Sequence, residues 1–159
     1  MILYHGSNMK FDSISLDVSK DKRDFGKGFY MTTEKSQAEQ WAEVLNYRQK
    51  KDGLFLYELE LNNIEQLAVK KFDGISKEWL DFIAKNRIQG GIQHNFDVVQ
   101  GPVANDKTMD AIGLYLSNTL STSETLTRLT YMKPNNQVSI HTGKALSNLK
   151  IIRRLEWTV

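Results

Sequence analysis

The residues best suited to chemistry lie in two short glycine-bearing segments. In the first, His5 ends a predicted strand and is followed by Gly6. In the second, glycines at 26 and 28 form a turn that leads into Tyr30 and a second strand. An imidazole can exchange a proton near neutral pH, and a tyrosine ring offers its face to a cation. Taken singly, each segment is also typical of structure alone, and neither matches a phosphate-binding loop.

A late predicted strand separates polar from apolar side chains. Gln137, Ser139 and His141 share one face by strand alternation, and Val138 and Ile140 share the other. This pattern fits a strand with one face in a site and one in a core. It fits equally a sheet strand whose polar face meets solvent, and alternation alone does not separate the two.

Five segments, taken in order, resemble a bacterial family of unassigned function. They read LYHGS at 3–7, DFGKGFY at 24–30, QAEQWA at 37–42, DVVQGPVA at 97–104 and QVSIHT at 137–142. That family is related to the His–Tyr branch of the ADP-ribosyltransferases, the diphtheria-toxin and poly(ADP-ribose) polymerase type. The resemblance spans nearly the whole chain, and its specificity lies in the order of the segments. It implies an α+β fold with an ADP-ribosyltransferase-like split β-sheet core and flanking helices.

The resemblance also implies that NAD is the substrate. At the matching positions, the backbone of Gly6 would bind the nicotinamide carboxamide, Tyr30 would stack on the ring, and His5 would bond to a ribose hydroxyl. The residues expected to contact NAD on this basis are His5, Gly6, Ser7, Gly28, Tyr30 and Trp41.

Two of these assignments have structural alternatives of similar weight. Ser7 matches a residue that reaches the adenosine ribose, but its hydroxyl could equally form a turn. Trp41 lies where the polymerase branch has a second stacking aromatic. A tryptophan on the inner face of an amphipathic helix is more often a core residue, and core is the favoured interpretation.

One departure from the family pattern bears on catalysis. The polymerase-like branch has a glutamate on the late strand, and the matching residue here is Gln137. A glutamine can hold a ribose hydroxyl, but it supplies neither negative charge nor a general base. We expect, in order of preference, transfer to an acceptor that needs no such base, replacement by Asp97 or Asp106, or NAD binding without turnover. The candidate catalytic residues are therefore His5, Tyr30, Gln137, Asp97 and Asp106.

Hydrophobic periodicity and turn residues place these positions on a mixture of strands and helices. Strands are predicted at 2–5, 28–33, 54–61, 66–72, 96–99, 137–142 and 149–157. Four helices are predicted: one begins at about 34, the second follows a Ser76 cap, the third spans 107–117, and the fourth spans 124–132 behind a Ser121–Glu124 capping box. This mixture predicts an α+β class, and the absence of linkers or repeats predicts one domain over 1–159.

Composition narrows the class of protein further. The 159 residues carry a net charge of +2, which differs from the strong basic footprint of a dedicated nucleic-acid binder. There is no cysteine, and the three histidines lack paired ligand spacing, so no metal site is predicted. With no signal peptide or membrane span evident in the sequence, we expect a cytoplasmic protein.

The function that these observations favour is mono-ADP-ribosyl transfer from NAD to a protein or nucleic-acid acceptor. The alternatives are NAD glycohydrolysis, a non-catalytic NAD or nucleotide-binding module, and a nucleic-acid-binding module. Because small free-standing bacterial members of the superfamily often act as intracellular toxins, the resemblance also implies a neutralising antitoxin protein. The acceptor cannot be named from the sequence.

Overall fold

A computed structural model describes residues 1–104, 106–132 and 135–158, with the side chains of all but 106, 107 and 132. Within these residues the chain forms two β-sheets and five helices, so the predicted α+β class is confirmed. The elements, in chain order, are β1 (Ile2–Ser7), β2 (Phe29–Met31), α1 (Lys35–Arg48), β3 (Leu54–Leu61), a 3-10 turn (Ile64–Gln66), β4 (Val69–Lys71), α2 (Lys77–Gln89), β5 (Val98–Val103), α3 (Asp106–Leu116), α4 (Thr122–Met132), β6 (Asn135–Ile140), α5 (Gly143–Ser147) and β7 (Leu149–Trp157).

The helices begin where side chains can satisfy their first amides. The Ser76 hydroxyl accepts from the amide of Trp79, as predicted. Ser121 and Glu124 form the predicted capping box, each side chain accepting from the other's amide. The short helix α5, which the sequence prediction missed, is capped by Thr142. No helix in the described ranges is both long and apolar enough to cross a membrane.

The strands form two separate sheets. The first has the order β1-β3-β7 and is antiparallel throughout, and the second has the order β2-β6-β5-β4 with only β4 and β5 parallel. Strand β5 runs from Val98 to Val103, beyond the predicted end at Val99 and through Pro102. Proline is tolerated there because β4 pairs only with Val98–Gln100, so Pro102 has a single neighbouring strand.

Two hydrophobic cores pack on opposite faces of the second sheet. The first lies between the two sheets and includes Leu3, Tyr57, Val138 and Ile140. The second lies between the second sheet and helices α2, α3 and α4, and Tyr30 belongs to it. Alternation along a strand therefore sends neighbouring side chains into different cores.

Helix α1 covers β1 at close range. Ala38 and Ala42 are its buried residues, and they lie directly against Gly6. A Cβ atom on Gly6 would come within 1.8 Å of the Ala38 carbonyl oxygen. Helix packing by itself thus requires glycine at position 6, whatever a ligand requires there.

This contact makes a stability prediction. Gly6→Ala should lower the free energy of unfolding by about 3 kcal/mol or more, because the clash is with helix backbone and not with a movable side chain. Gly113→Ala, in the middle of α3 with no atom within 4 Å of the added carbon, should instead raise it by about 1 kcal/mol. Urea denaturation of both variants checks this. A Gly6→Ala variant as stable as the parent would show that α1 does not pack on β1 in this way.

Candidate functional site

Strands β1 and β2 separate after a single bridge, Tyr4–Thr32. The Tyr4 amide donates to the Thr32 carbonyl at 2.8 Å, and the Thr32 amide donates to the Tyr4 carbonyl at 2.9 Å. In an antiparallel ladder the next bonded pair would be Gly6 with Tyr30. The His5 ring takes that place, its Nδ1 lying 2.7 Å from the Tyr30 carbonyl oxygen. The two strands are therefore split at Gly6 and Tyr30, and we call this opening the β1–β2 split.

The backbone polar groups of Gly6 point into the β1–β2 split. Met1, just before β1, exchanges both backbone hydrogen bonds with Leu61 of β3. The backbone amides and carbonyls of the odd-numbered residues of β1 therefore point towards β3. Tyr4 faces β2, and Gly6, two residues further along, points to the same edge. The Gly6 amide and carbonyl thus lie outside the β1–β3 ladder as one donor beside one acceptor. That pair is complementary to a primary carboxamide.

His5 is held as a neutral imidazole. Burial, and to a smaller degree the nearby Arg23 charge, lowers its pKa from 6.5 to about 4, against the opposing effect of its hydrogen bond to the Tyr30 carbonyl. Its ring centroid lies 4.4 Å from that of Phe29. Because a carbonyl oxygen only accepts, Nδ1 carries the proton and Nε2 keeps its lone pair. His5 can therefore accept a hydrogen bond through Nε2 near pH 7.

Tyr30 is more enclosed than its predicted role suggests. It is 9% exposed, and its hydroxyl accepts from the Phe25 amide at 3.0 Å and donates to the Gly26 carbonyl at 2.7 Å. The Arg23 guanidinium carbon lies 4.3 Å from the ring centroid, over its face. The Tyr30 ring lies in the second core, whereas the His5 ring contacts aromatic residues of the first.

All three histidines of the sequence bond to backbone carbonyls of residues 25–30. Each ring nitrogen lies 2.7 Å from its carbonyl oxygen: His94 Nε2 from Phe25, His141 Nδ1 from Lys27, and His5 Nδ1 from Tyr30. The Ser19 hydroxyl bonds to both the amide and the carbonyl of Gly28, at 2.7 and 2.8 Å. We call residues 25–30 the clamped segment. Its shape is set by side chains from distant parts of the chain.

Strand β6 lies beside the clamped segment. Continuing the β2–β6 register places Gln137, which is half-buried, opposite Thr32 at the bridge. Ser139 and His141 are buried and lie 2.7 Å apart through Oγ and Nε2, so the alternative of a polar solvent face is wrong for them. A Cβ on Gly28 would lie 2.5 Å from the Ile140 carbonyl oxygen, so Gly28 serves close packing against β6.

Asp97 lies away from the split, and both of its carboxylate oxygens are engaged. They accept from the Thr142 hydroxyl at 2.6 Å and the Ala68 amide at 2.8 Å. These bonds lower the Asp97 pKa. The Asp97 carboxylate is therefore a structural anchor for α5 and β4. Asp106 begins α3, but its side chain lies outside the described residues.

Two residues with predicted alternatives are now placed. The Ser7 hydroxyl accepts from the Met9 amide at 3.0 Å, which is the turn geometry. Trp41 is 43% exposed, so its assignment to the core is wrong. The Arg48 guanidinium carbon lies over the Trp41 ring, 5.8 Å from its centroid. Among the described residues, no cluster of three or more histidine, aspartate or glutamate side chains could hold a metal.

The sequence prediction missed the residues that anchor the loop between β1 and β2. Buried Asp24 pairs with Arg87 of α2 and accepts from the Ala104 amide at 2.6 Å. Asp21 accepts from the Gly91 amide at 2.6 Å. An aspartate before a glycine turn was the one visible signal, and its partners lie more than 60 residues away. Arg23, between these anchors, was also missed.

The buried histidines predict a loss of stability in mild acid. Burial lowers the pKa of His5 and His141 from 6.5 to about 4, so the unfolded chain binds more protons between these values. Their contribution is complete above pH 6.5 and is lost as the pH falls towards 4. For His141 alone, the free energy of unfolding at pH 5 should be about 2 kcal/mol lower than above pH 6.5.

Urea denaturation at pH 7.5 and pH 5.0 measures this loss, and NMR titration of the imidazole signals assigns it. The aspartates with lowered pKa titrate below 3.8 and do not contribute in this window. A stability that stays flat from pH 7.5 to 5.0, with His141 titrating near 6.5, would contradict the buried neutral arrangement.

Comparison with known proteins identifies a family for almost the whole chain. Residues 1–151 match the family described as "Protein of unknown function (DUF3990)". No curated protein and no solved structure matches the chain. The matched residues include His5, Gly6, Tyr30 and Gln137. The chain belongs to the DUF3990 family.

Proposed function

We propose that the β1–β2 split is a nicotinamide site and that the protein is an NAD-dependent mono-ADP-ribosyltransferase with an ADP-ribosyltransferase-like fold. One observation carries the proposal: the donor–acceptor pair of Gly6 faces the split between two neighbouring strands. The residues that resemble the His–Tyr signature, His5, Tyr30 and Gln137, lie on β1, β2 and β6 around it. The two sheets that meet at this bridge are consistent with a split core.

Recognition of NAD follows from groups that are already in place. The Gly6 amide donates to the carboxamide oxygen of nicotinamide, and the Gly6 carbonyl accepts from its nitrogen. The free Nε2 of His5 accepts from a ribose hydroxyl, since its pKa of about 4 keeps the ring neutral. The Tyr30 face, which carries a guanidinium in this structure, is suited to a pyridinium ring.

The reaction breaks the bond between the ribose anomeric carbon and the nicotinamide nitrogen. Nicotinamide leaves with the electron pair, and an acceptor atom with a lone pair attacks the anomeric carbon. Gln137 offers an amide to a ribose hydroxyl without adding charge, so positioning supplies most of the catalysis. Asp97 is a poor substitute because its oxygens are bonded to Thr142 and Ala68. The proposal therefore favours an acceptor that needs no base at position 137.

A second candidate function is NAD binding without turnover. The specific observation that favours it is again Gln137, which lies half-buried beside Thr32 where the resembling enzymes have a carboxylate. In the leading proposal the acceptor is a macromolecule, either protein or nucleic acid. A toxin-type role in the cytoplasm, with a neutralising antitoxin protein, is part of the same proposal.

Nicotinamide-labelled NAD tests the reaction. The purified protein is incubated with it, with and without cell lysate, and released nicotinamide is counted. Release that depends on lysate supports transfer, and release without lysate supports glycohydrolysis. Binding with no release in either supports the second candidate. Gln137→Glu should shift the balance between hydrolysis and transfer, because it restores a carboxylate near the anomeric carbon.

Substitution of His5 tests the site itself. His5→Ala should lower kcat/KM for NAD by about a hundredfold, or NAD affinity equivalently if there is no turnover, because an acceptor for the ribose is lost. His94→Ala is the matched control, since it also removes a histidine bond to the clamped segment, at the far end from the split. Equal losses in both variants would assign the effect to the segment and not to His5.

The role of Tyr30 is best tested with variants that fill its place in the core. Tyr30→Ala would leave a large cavity in the second core, at a cost of about 3–5 kcal/mol, and would confound the fold with the site. Tyr30→Leu removes the aromatic face, and Tyr30→Phe removes only the hydroxyl bonds. The proposal expects NAD binding to be lost in Tyr30→Leu and kept in Tyr30→Phe, with circular dichroism as the check on folding.

A further inference from the structure

One face of the Tyr30 ring, the aromatic surface proposed for nicotinamide, is covered by the protein's own cation. The Arg23 guanidinium carbon lies 4.3 Å from the centre of the Tyr30 ring. Phe25 stacks on the Tyr30 ring at a centroid distance of 6.2 Å, and His141 contacts it edge-on at 6.3 Å. A guanidinium is planar and positively charged, as a pyridinium ring is. The two groups therefore compete for one aromatic surface.

The backbone around Arg23 is fixed on both sides. The Arg23 carbonyl accepts from the Gly26 amide at 3.0 Å. Asp24 is tied to Arg87 and to the Ala104 amide, and Asp21 is tied to the Gly91 amide. The side chain itself is half-buried, and within the described parts of the chain no carboxylate pairs with its guanidinium. The backbone is thus anchored on both sides, and the Arg23 side chain lies over the Tyr30 ring.

The Arg23 charge also acts on both signature residues of the split. It lowers the pKa of His5 and, against the dominant effect of burial, that of Tyr30. The guanidinium therefore lies within electrostatic range of both His5 and Tyr30. This electrostatic link is a second sign, beside the stacking geometry, that Arg23 belongs to the split.

We propose that Arg23 is a gating residue that closes the nicotinamide site by stacking on Tyr30 and rotates away when NAD binds. This inference rests on the proposed function. In the free protein the Arg23 guanidinium stacks on the Tyr30 face and excludes water and neutral rings from it. NAD binding exchanges one stacked cation for another, so its apparent affinity is reduced by the free energy of the contact between Arg23 and Tyr30.

Calorimetric titration of NAD into the full chain measures the gate. Arg23→Ala should bind NAD about three- to thirtyfold more tightly than the parent, because it removes the competing contact. Lys22→Gln is the matched control: it removes the same charge from the adjacent, exposed residue without uncovering the ring, and it should change affinity by about twofold or less. Equal gains in both variants would attribute the effect to charge alone and overturn the gate.

NMR of the arginine side chains gives a readout that does not depend on affinity. In the free protein the δ-protons of Arg23 should be shifted upfield by the Tyr30 ring, and saturating NAD should abolish that shift. NAD binding with the Arg23 signal unmoved would overturn the gate and leave the proposed function standing. Failure of both the parent and Arg23→Ala to bind NAD would overturn the proposed function, and the gate with it.

Discussion

The structure depends on how the backbone hydrogen-bonding groups of residues 25–30 find their partners. A short strand in this position would ordinarily exchange hydrogen bonds with β1 along its length. Here only the Tyr4–Thr32 bridge joins the two strands, and the carbonyls of the clamped segment accept from side chains instead. The three histidines, the Tyr30 hydroxyl and Ser19 supply these donors. Because side chains satisfy these carbonyls, the clamped segment can remain apart from β1, and the amide and carbonyl of Gly6 are left facing the split.

The close packing around the split follows from the same constraint. The clamped segment lies so near β6 that only glycine fits at position 28, and α1 lies so near β1 that only glycine fits at position 6. Burial of the donating rings keeps His5 and His141 neutral, which each needs in order to donate from one nitrogen and keep the other as an acceptor. The split is thus bounded by closely packed elements, and the Arg23 guanidinium lies over the Tyr30 ring.

Local patterns in the sequence were sufficient for much of the fold. Side-chain periodicity and capping residues placed most strands and helices, including the Ser121–Glu124 capping box. The alternation along β6 correctly separated Val138 and Ile140 from Ser139 and His141. It could not tell that the polar face is buried, because the covering helices and the Lys27 carbonyl are distant in sequence.

Trp41 was misplaced for a related reason: helical spacing gives a face, but not which face meets β1. The pairing of Asp24 with Arg87 and the stacking of Arg23 on Tyr30 are tertiary contacts that no local pattern encodes.

The central claim is that the Gly6 amide and carbonyl in the β1–β2 split bind the carboxamide of nicotinamide. Backbone amide NMR of the ¹⁵N-labelled protein during titration with NAD tests it most directly, with the Gly113 amide of α3 as an internal reference. If the carboxamide binds there, the Gly6 amide shifts saturably together with that of Tyr30 across the split, and the Gly113 amide does not shift. An unmoved Gly6 amide at NAD concentrations that saturate other signals would contradict the account and place the ligand elsewhere on the protein.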